Sequence, residues 1–209
     1  MTGPGWFRYV LRLGPETPGR LAEDVLAKPP RAGLTRIVAV DGQSGAGKTR
    51  FAADLAAAVR DRGHTVDVVH TDDLLDGWDD QFTFWDRLVV QVLTPLRAGH
   101  AGHYFRYDWI AGRFVDEPTT VAAADVVIVE GVSVSRAAMR AVADLTVFLQ
   151  IPAELAWERL IARDPADALP FLRAWKAAEG PFFTADGTFP EVDVMIDARL
   201  PHERRRPTP

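Results

Sequence analysis

Nine residues, Asp41-Gly42-Gln43-Ser44-Gly45-Ala46-Gly47-Lys48-Thr49, constrain this chain more than any others. They contain the spacing G-x-x-x-x-G-K-T, follow the apolar run Ile37 to Val40 and precede a helix-like segment, Arg50 to Arg60. Glycines there let the chain wrap until successive backbone N–H groups and the following helix N-terminus face one anion. Gly42, Ser44, Gly45, Ala46, Gly47, Lys48, Thr49 and Arg50 are therefore the expected contacts to a nucleoside triphosphate. Lys48 would reach the outer phosphates and Thr49 would ligate Mg²⁺, making ATP and Mg²⁺ the expected cofactors.

At 209 residues the chain has room for one α/β domain with a core and is too short to expect two. A net charge of -5 argues against a nucleic-acid surface, so a small molecule is the expected partner. The chain has no cysteine, which removes disulfides and thiolate metal sites. With no long apolar run and no leader-like start, a soluble, cytoplasmic protein is expected, with no membrane partner. A homo-oligomer stays open.

From Ile37 onward short apolar runs alternate with amphipathic stretches, the pattern of a mostly parallel sheet covered on both faces. Strands are expected at Arg36–Asp41, Thr65–His70, Asp125–Glu130, Leu145–Ile151 and Val192–Ile196, five in all. Helices are expected at Lys48–Asp61, Phe84–Leu96, Ser135–Val142, Ala153–Ala162 and Leu169–Glu179, with Gly63, Gly99 and Gly180 as left-handed caps. Residues 1–35, irregular apart from helical spacing at Leu21 to Leu26, read as an extension packed on the core. Residues 36–200 form the domain, and 201–209 a flexible basic tail.

In open parallel sheets ligands bind beyond the carboxyl ends of the strands. The strand ending at His70 delivers Thr71-Asp72-Asp73 there. Asp72 is the expected general base for an acceptor hydroxyl, while Asp73 reads better as a cap or turn residue. The buried run Val126 to Val129 ends in Glu130-Gly131, and Glu130 is expected to hold Mg²⁺ directly or through water. The loop and an aspartate from the neighbouring strand would thus converge on one γ-phosphoryl group. Tyr104-Phe105-Arg106-Tyr107-Asp108-Trp109 suits a pocket wall and core packing equally. Arg159 and Arg163, at i and i+4, suit either a clamp on the migrating phosphoryl group or a solvated helix face. Among the histidines only His70 is placed to line a pocket; Trp78, Trp85, Trp157 and Trp175 read as packing residues.

Taken in order, Val38 to Thr49, Thr71-Asp72-Asp73, Tyr107-Asp108-Trp109, Val129-Glu130-Gly131 and Arg163-Asp164 resemble the uridine kinase family of P-loop kinases, which includes phosphoribulokinase-like and pantothenate kinase-like enzymes. The resemblance spans about residues 36 to 197. It implies a three-layer P-loop kinase with a short helical lid and an ATP- and Mg²⁺-dependent transfer to a small alcohol, a nucleoside first. It further implies that Asp72 is the base, Glu130 the acid after the central strand, Tyr107 a nucleobase contact, Asp80 the carboxylate on ribose hydroxyls and Arg163 a lid arginine. Asp108 and Trp109 accompany Tyr107 as substrate contacts. Two departures stand out: Gly112 replaces the family's base-reading histidine, and Pro165 to Leu169 replaces its second basic lid cluster. Both point to a different acceptor, such as pantothenate, a sugar or a sugar phosphate. An ATP-binding regulatory module without transfer chemistry is the rival class. A guanine-specific switch would need Asn-Lys-x-Asp, and no asparagine occurs in the sequence.

Overall fold

In the computed structural model, which describes residues 9–31 and 33–199, the alternating pattern becomes a parallel sheet between two helical layers. Its strands are β1 (Tyr9–Arg12), β2 (Arg36–Gly42), β3 (Val66–His70), β6 (Val126–Glu130), β7 (Leu145–Gln150) and β8 (Val194–Asp197). They lie in the order β1-β8-β7-β2-β6-β3, every adjacent pair parallel. Side chains alternate between faces as strand geometry requires. Val38 and Val40 of β2 join one apolar cluster with α1 (Thr17–Leu26) and α2 (Lys48–Arg60), whereas Ile37 and Ala39 join another with Phe84, Leu88 and Val92. Both faces are thus covered, which is why these strands read as unbroken Val/Ile/Leu runs.

The sheet has six strands, not five. The additional one, β1, is four residues long and sits at the edge on β8, pairing Val10 with Met195 and Leu11 with Ile196. A strand this short, flanked by Gly and Pro, shows no periodicity to read. Beyond β1, α1 is tied down by Leu21, Ala22 and Val25, all fully buried against α2. The expected basic tail, 201–209, lies outside the described residues.

Two further elements differ from expectation. The aromatic stretch is the first arm of an antiparallel ribbon, β4 (Gly102–Asp108) with β5 (Arg113–Val121), separate from the main sheet. Helix α7 (Leu169–Asp186) runs straight through Gly180 and Pro181 and is closed by Gly187, whose φ of 65° is the left-handed cap. A proline costs one N–H donor, and a helix anchored on both sides by packing tolerates that loss. Between Phe84 and Gly99 the helix is built of α3 (Trp85–Leu88), a π turn (Val89–Leu93) and α4 (Thr94–Arg97). Pro95 cannot donate to the preceding turn, which fits a widened turn just before it. The remaining helices are α5 (Ala137–Arg140), α6 (Ala153–Arg163) and α8 (Thr188–Glu191).

Register at the non-catalytic edge is set by three aspartates, each immediately before a strand. Asp125 accepts from Thr65 N–H at 2.8 Å, Asp144 from Ile37 N–H at 2.8 Å and Asp193 from Thr146 N–H at 2.9 Å. Each captures the amide at the start of the neighbouring strand, so β6, β7 and β8 enter level with β3, β2 and β7. Among the described residues, no helix is long and apolar enough to cross a membrane.

Candidate active site

The phosphate-binding loop joins β2, which ends at Gly42, to α2, which begins at Lys48. Gly45 and Gly47 have φ of 86° and 91°, the region L side chains avoid. Space is scarce as well: a Cβ on Gly42 would lie 2.5 Å from the Leu149 carbonyl oxygen, and one on Gly45 2.5 Å from that of Ala156. Ser44 and Ala46 are buried under the loop. Gly47, Thr49 and Arg50 are open at its mouth. Lys48 Nζ folds over the first limb, donating to the carbonyls of Gly42 at 3.0 Å and Gln43 at 3.3 Å.

Asp41, just before the loop, is fully buried and accepts N–H bonds from Gly42 at 2.7 Å, Ser133 at 3.0 Å and Ser135 at 2.8 Å. Burial pushes its carboxyl up to about 7, against the pull of these donors and Lys48. It ties the loop to the chain that follows Glu130, a link the sequence reading did not see.

Strand β6 lies between β2 and β3, so Glu130 is the neighbour of the loop and Asp72 comes from one strand farther out. Glu130 Oε1 accepts the Thr49 hydroxyl at 3.0 Å and meets His70 Nδ1 at 2.6 Å, with the residue 5% exposed. The hydrogen bond to Glu130 raises the pKa of His70, with burial opposing it. A hydroxyl and a carboxylate meeting at the loop's exit are hard oxygen donors, and Mg²⁺ needs few from protein because it keeps water and phosphate oxygens. Gly131 brings β6 hard against β3: a Cβ there would sit 1.6 Å from the Thr71 hydroxyl.

The acid pair after β3 is split by the 3₁₀ turn Thr71–Leu74. Asp73 turns toward the ribbon and accepts from the Tyr104 hydroxyl at 3.2 Å. Asp72 opens into a cleft of about 530 Å³. The residue is exposed at the cleft, yet its carboxyl is crowded by protein, and that desolvation raises its pKa while Lys48 and Arg163 draw it down.

The cleft is also lined by Trp78, Trp109, Arg163, Phe171 and Trp175. Phe171 stacks on Trp78 at 5.0 Å between centroids, and Trp109 and Trp175 meet Trp78 edge-on at 5.1 and 5.0 Å. Trp109 Nε1 donates to the Asp72 carbonyl at 3.3 Å and Trp175 Nε1 to that of Trp78. The sequence reading took Trp78 and Trp175 for packing residues. The available signal was Phe171 and Trp175 at i and i+4, which puts two aromatics on one helix face.

Several expected contacts stand elsewhere. Tyr107 backs Trp109 edge-on at 5.2 Å instead of lining the cleft. Asp108 closes a turn, accepting from the N–H groups of Ile110 and Ala111 at 2.9 Å each. Asp80 is buried and engaged by Thr83, the Asp76 N–H and Arg87, and it lies outside the cleft lining because those partners occupy both oxygens. Arg159 reaches the outside of the loop, donating to the Gly45 carbonyl at 3.1 Å. Arg163 reaches the cleft while pairing with Asp164 through two bonds of 2.7 Å.

The model of the Phosphoribulokinase / Uridine kinase family matches residues 78–168, a span that starts beyond the loop and is therefore independent of it. Uridine kinase of Staphylococcus haemolyticus (strain JCSC1435) is 27% identical over 144 residues, 62% of this chain and 69% of that protein. Uridine kinase of Macrococcus caseolyticus (strain JCSC5402) is 26% identical over 144 residues, with the same shares of 62% and 69%. A solved structure of a possible uridine kinase from Bacillus stearothermophilus superposes with a TM-score of 0.65 at 25% identity, covering 86% of this chain and 97% of the other. Loop, sheet order and these similarities together make the chain similar to the uridine kinase-like P-loop kinases and mark it as a phosphotransferase acting on a small molecule.

Proposed function

We propose that the protein transfers the γ-phosphoryl group of ATP, with Mg²⁺, to a hydroxyl of an uncharged, ring-bearing small alcohol, a nucleoside being the first candidate. One observation carries this reading: Asp72 opens into a cleft with an aromatic wall while its carboxyl lies within the electrostatic reach of Lys48. When bound, ATP supplies the phosphoryl group and Mg²⁺ the counter-charge. The loop amides and Lys48 would hold the outer phosphates, and Thr49 and Glu130 would hold the metal. Asp72 orients the acceptor hydroxyl and takes its proton, a task that the upward shift of its pKa by burial suits. Arg163, on the cleft wall, offsets charge that builds up during transfer.

The wall selects the acceptor. Trp78, Trp109, Phe171 and Trp175 offer faces on which a flat ring stacks, in place of the histidine that the family uses to read a pyrimidine. Arg163 is the cation of the cleft lining, and it is already paired with Asp164. A sugar phosphate or a carboxylate-bearing alcohol would therefore bring a charge with no partner waiting. Dependence on ATP puts this chemistry in the cytoplasm.

Replacing Asp72 by Asn should lower turnover by about 10²–10⁴ with nucleotide affinity nearly unchanged. Steady-state kinetics beside an equilibrium titration with an ATP analogue checks this, and unaltered turnover removes Asp72 as base.

A further inference from the structure

Helix α7 buries a carboxylate that the transfer chemistry does not use. Glu179 is 2% exposed, in a helix whose buried neighbours Leu172 and Phe183 are apolar. A charge in such a stripe is costly unless it is paired and hydrogen-bonded. Both of its oxygens are occupied. Oε1 accepts the backbone N–H of Ser44 in the phosphate-binding loop at 3.0 Å, and Oε2 accepts Lys176 Nζ at 2.8 Å. Lys176 also donates to the side-chain oxygen of Gln43 at 3.2 Å. One turn of α7 therefore grips two consecutive loop residues, while Arg159 of α6 holds the third, Gly45.

An anion touching an N–H of an anion-binding loop has two physical meanings: it braces the loop, or it competes with phosphate for it. The geometry points to the brace. Lys176 neutralises the carboxylate and is itself largely buried, so Glu179 cannot swing out without stranding two charges. The same helix carries Phe171, Leu172 and Trp175 of the acceptor cleft on its preceding turns. Residues 172, 175, 176 and 179 share one helical face.

We infer that Glu179, held by Lys176, is a positioning residue that sets the phosphate-binding loop in its nucleotide-accepting shape, and that α7 thereby couples the acceptor cleft to nucleotide affinity. This rests on the kinase reading above for the ligands, but the brace itself is a property of the protein alone. Two measurements separate them. Hydrogen exchange on the ligand-free protein should show faster exchange of the peptide spanning residues 43–46 in Glu179→Ala, with peptides of β6 and β7 unchanged. Titration with ADP should show affinity weakened by about tenfold or more in Glu179→Ala, since the loop loses a charge-assisted hydrogen bond that holds its shape. Glu179→Gln keeps an oxygen for Ser44 and should recover most of the affinity; Lys176→Met should weaken binding in the wild-type background and add nothing to Glu179→Ala. If Glu179→Ala fails to fold, the Gln and Met variants carry the same test.

Exchange unchanged at residues 43–46, or ADP affinity within twofold of wild type in a folded variant, overturns the brace. Tighter ADP binding in Glu179→Ala overturns it in favour of a competing anion. Wild-type protein that binds no adenine nucleotide would instead sink the kinase reading, leaving the exchange experiment to decide the brace.

Discussion

Gly131 shows how little freedom single residues have around this site. Its φ of 156° and the Thr71 hydroxyl, 1.6 Å from where a Cβ would stand, leave no room for a side chain, and Thr71 immediately precedes Asp72. Gly131→Ala should push the β3 end aside, cutting turnover at least about tenfold and costing about 1–3 kcal/mol, the range for overpacking a tight interior. Denaturant unfolding and steady-state turnover check both halves. The closest approach of Gly131 in the fold is to the Thr71 side chain. Asp41 carries a related lesson. In the sequence it is one more acid before a glycine, and only the fold brings Ser133 and Ser135 onto its oxygens.

Elements are joined by aspartates at their ends. Those before β6, β7 and β8 level the strands, and Asp186, the last residue of α7, receives Ala137 N–H at the start of α5 and pairs with Arg140 at 2.7 Å. Burial acts to raise the pKa of Asp186, but Ala137, Thr188 and Arg140 outweigh it and hold the carboxyl below the ordinary 3.8. A depressed carboxylate stabilises the fold above its unfolded pKa, and the contribution is lost as pH falls through the folded value. Asp186→Ala should therefore cost about 1–3 kcal/mol at neutral pH, and the gap to wild type should narrow below about pH 4. Unfolding curves between pH 3 and 7 test this; a gap that widens on acidification contradicts it. Element boundaries were legible where periodicity was long, as in α2 and β6. They were hidden where a helix passes through Gly180-Pro181, since local propensity there argues for a stop and packing of Phe183 overrides it.

At the scale of the molecule, the proposed choice of acceptor rests on charge and aromatic surface. The chain is acidic overall, and the cation lining the cleft is Arg163, paired with Asp164. Uncharged ring-bearing alcohols should therefore stimulate ADP release more than sugar phosphates or pantothenate at equal concentration. Trp109→Ala should raise KM for such an acceptor by about tenfold with a smaller change in kcat, the mark of a lost stacking contact. A sugar phosphate with the highest kcat/KM in the panel would contradict the charge argument.

What the residues determined unaided was part of what depends on near neighbours in the chain. The loop from Gly42 to Thr49 follows from glycines and a lysine at set spacing, and the parallel sheet follows from apolar runs of strand length between amphipathic helices. The positions of Asp72 and Glu130 were legible because one lies just past such a run and the other ends one. Tertiary structure alone decided what distant segments do to one another: that β6 separates Asp72 from the loop, that Trp78, Trp109, Phe171 and Trp175 converge on one wall, and that Glu179 reaches Ser44 across 135 positions. The reason is physical: periodicity records which side of an element is buried, but not which buried sides will meet.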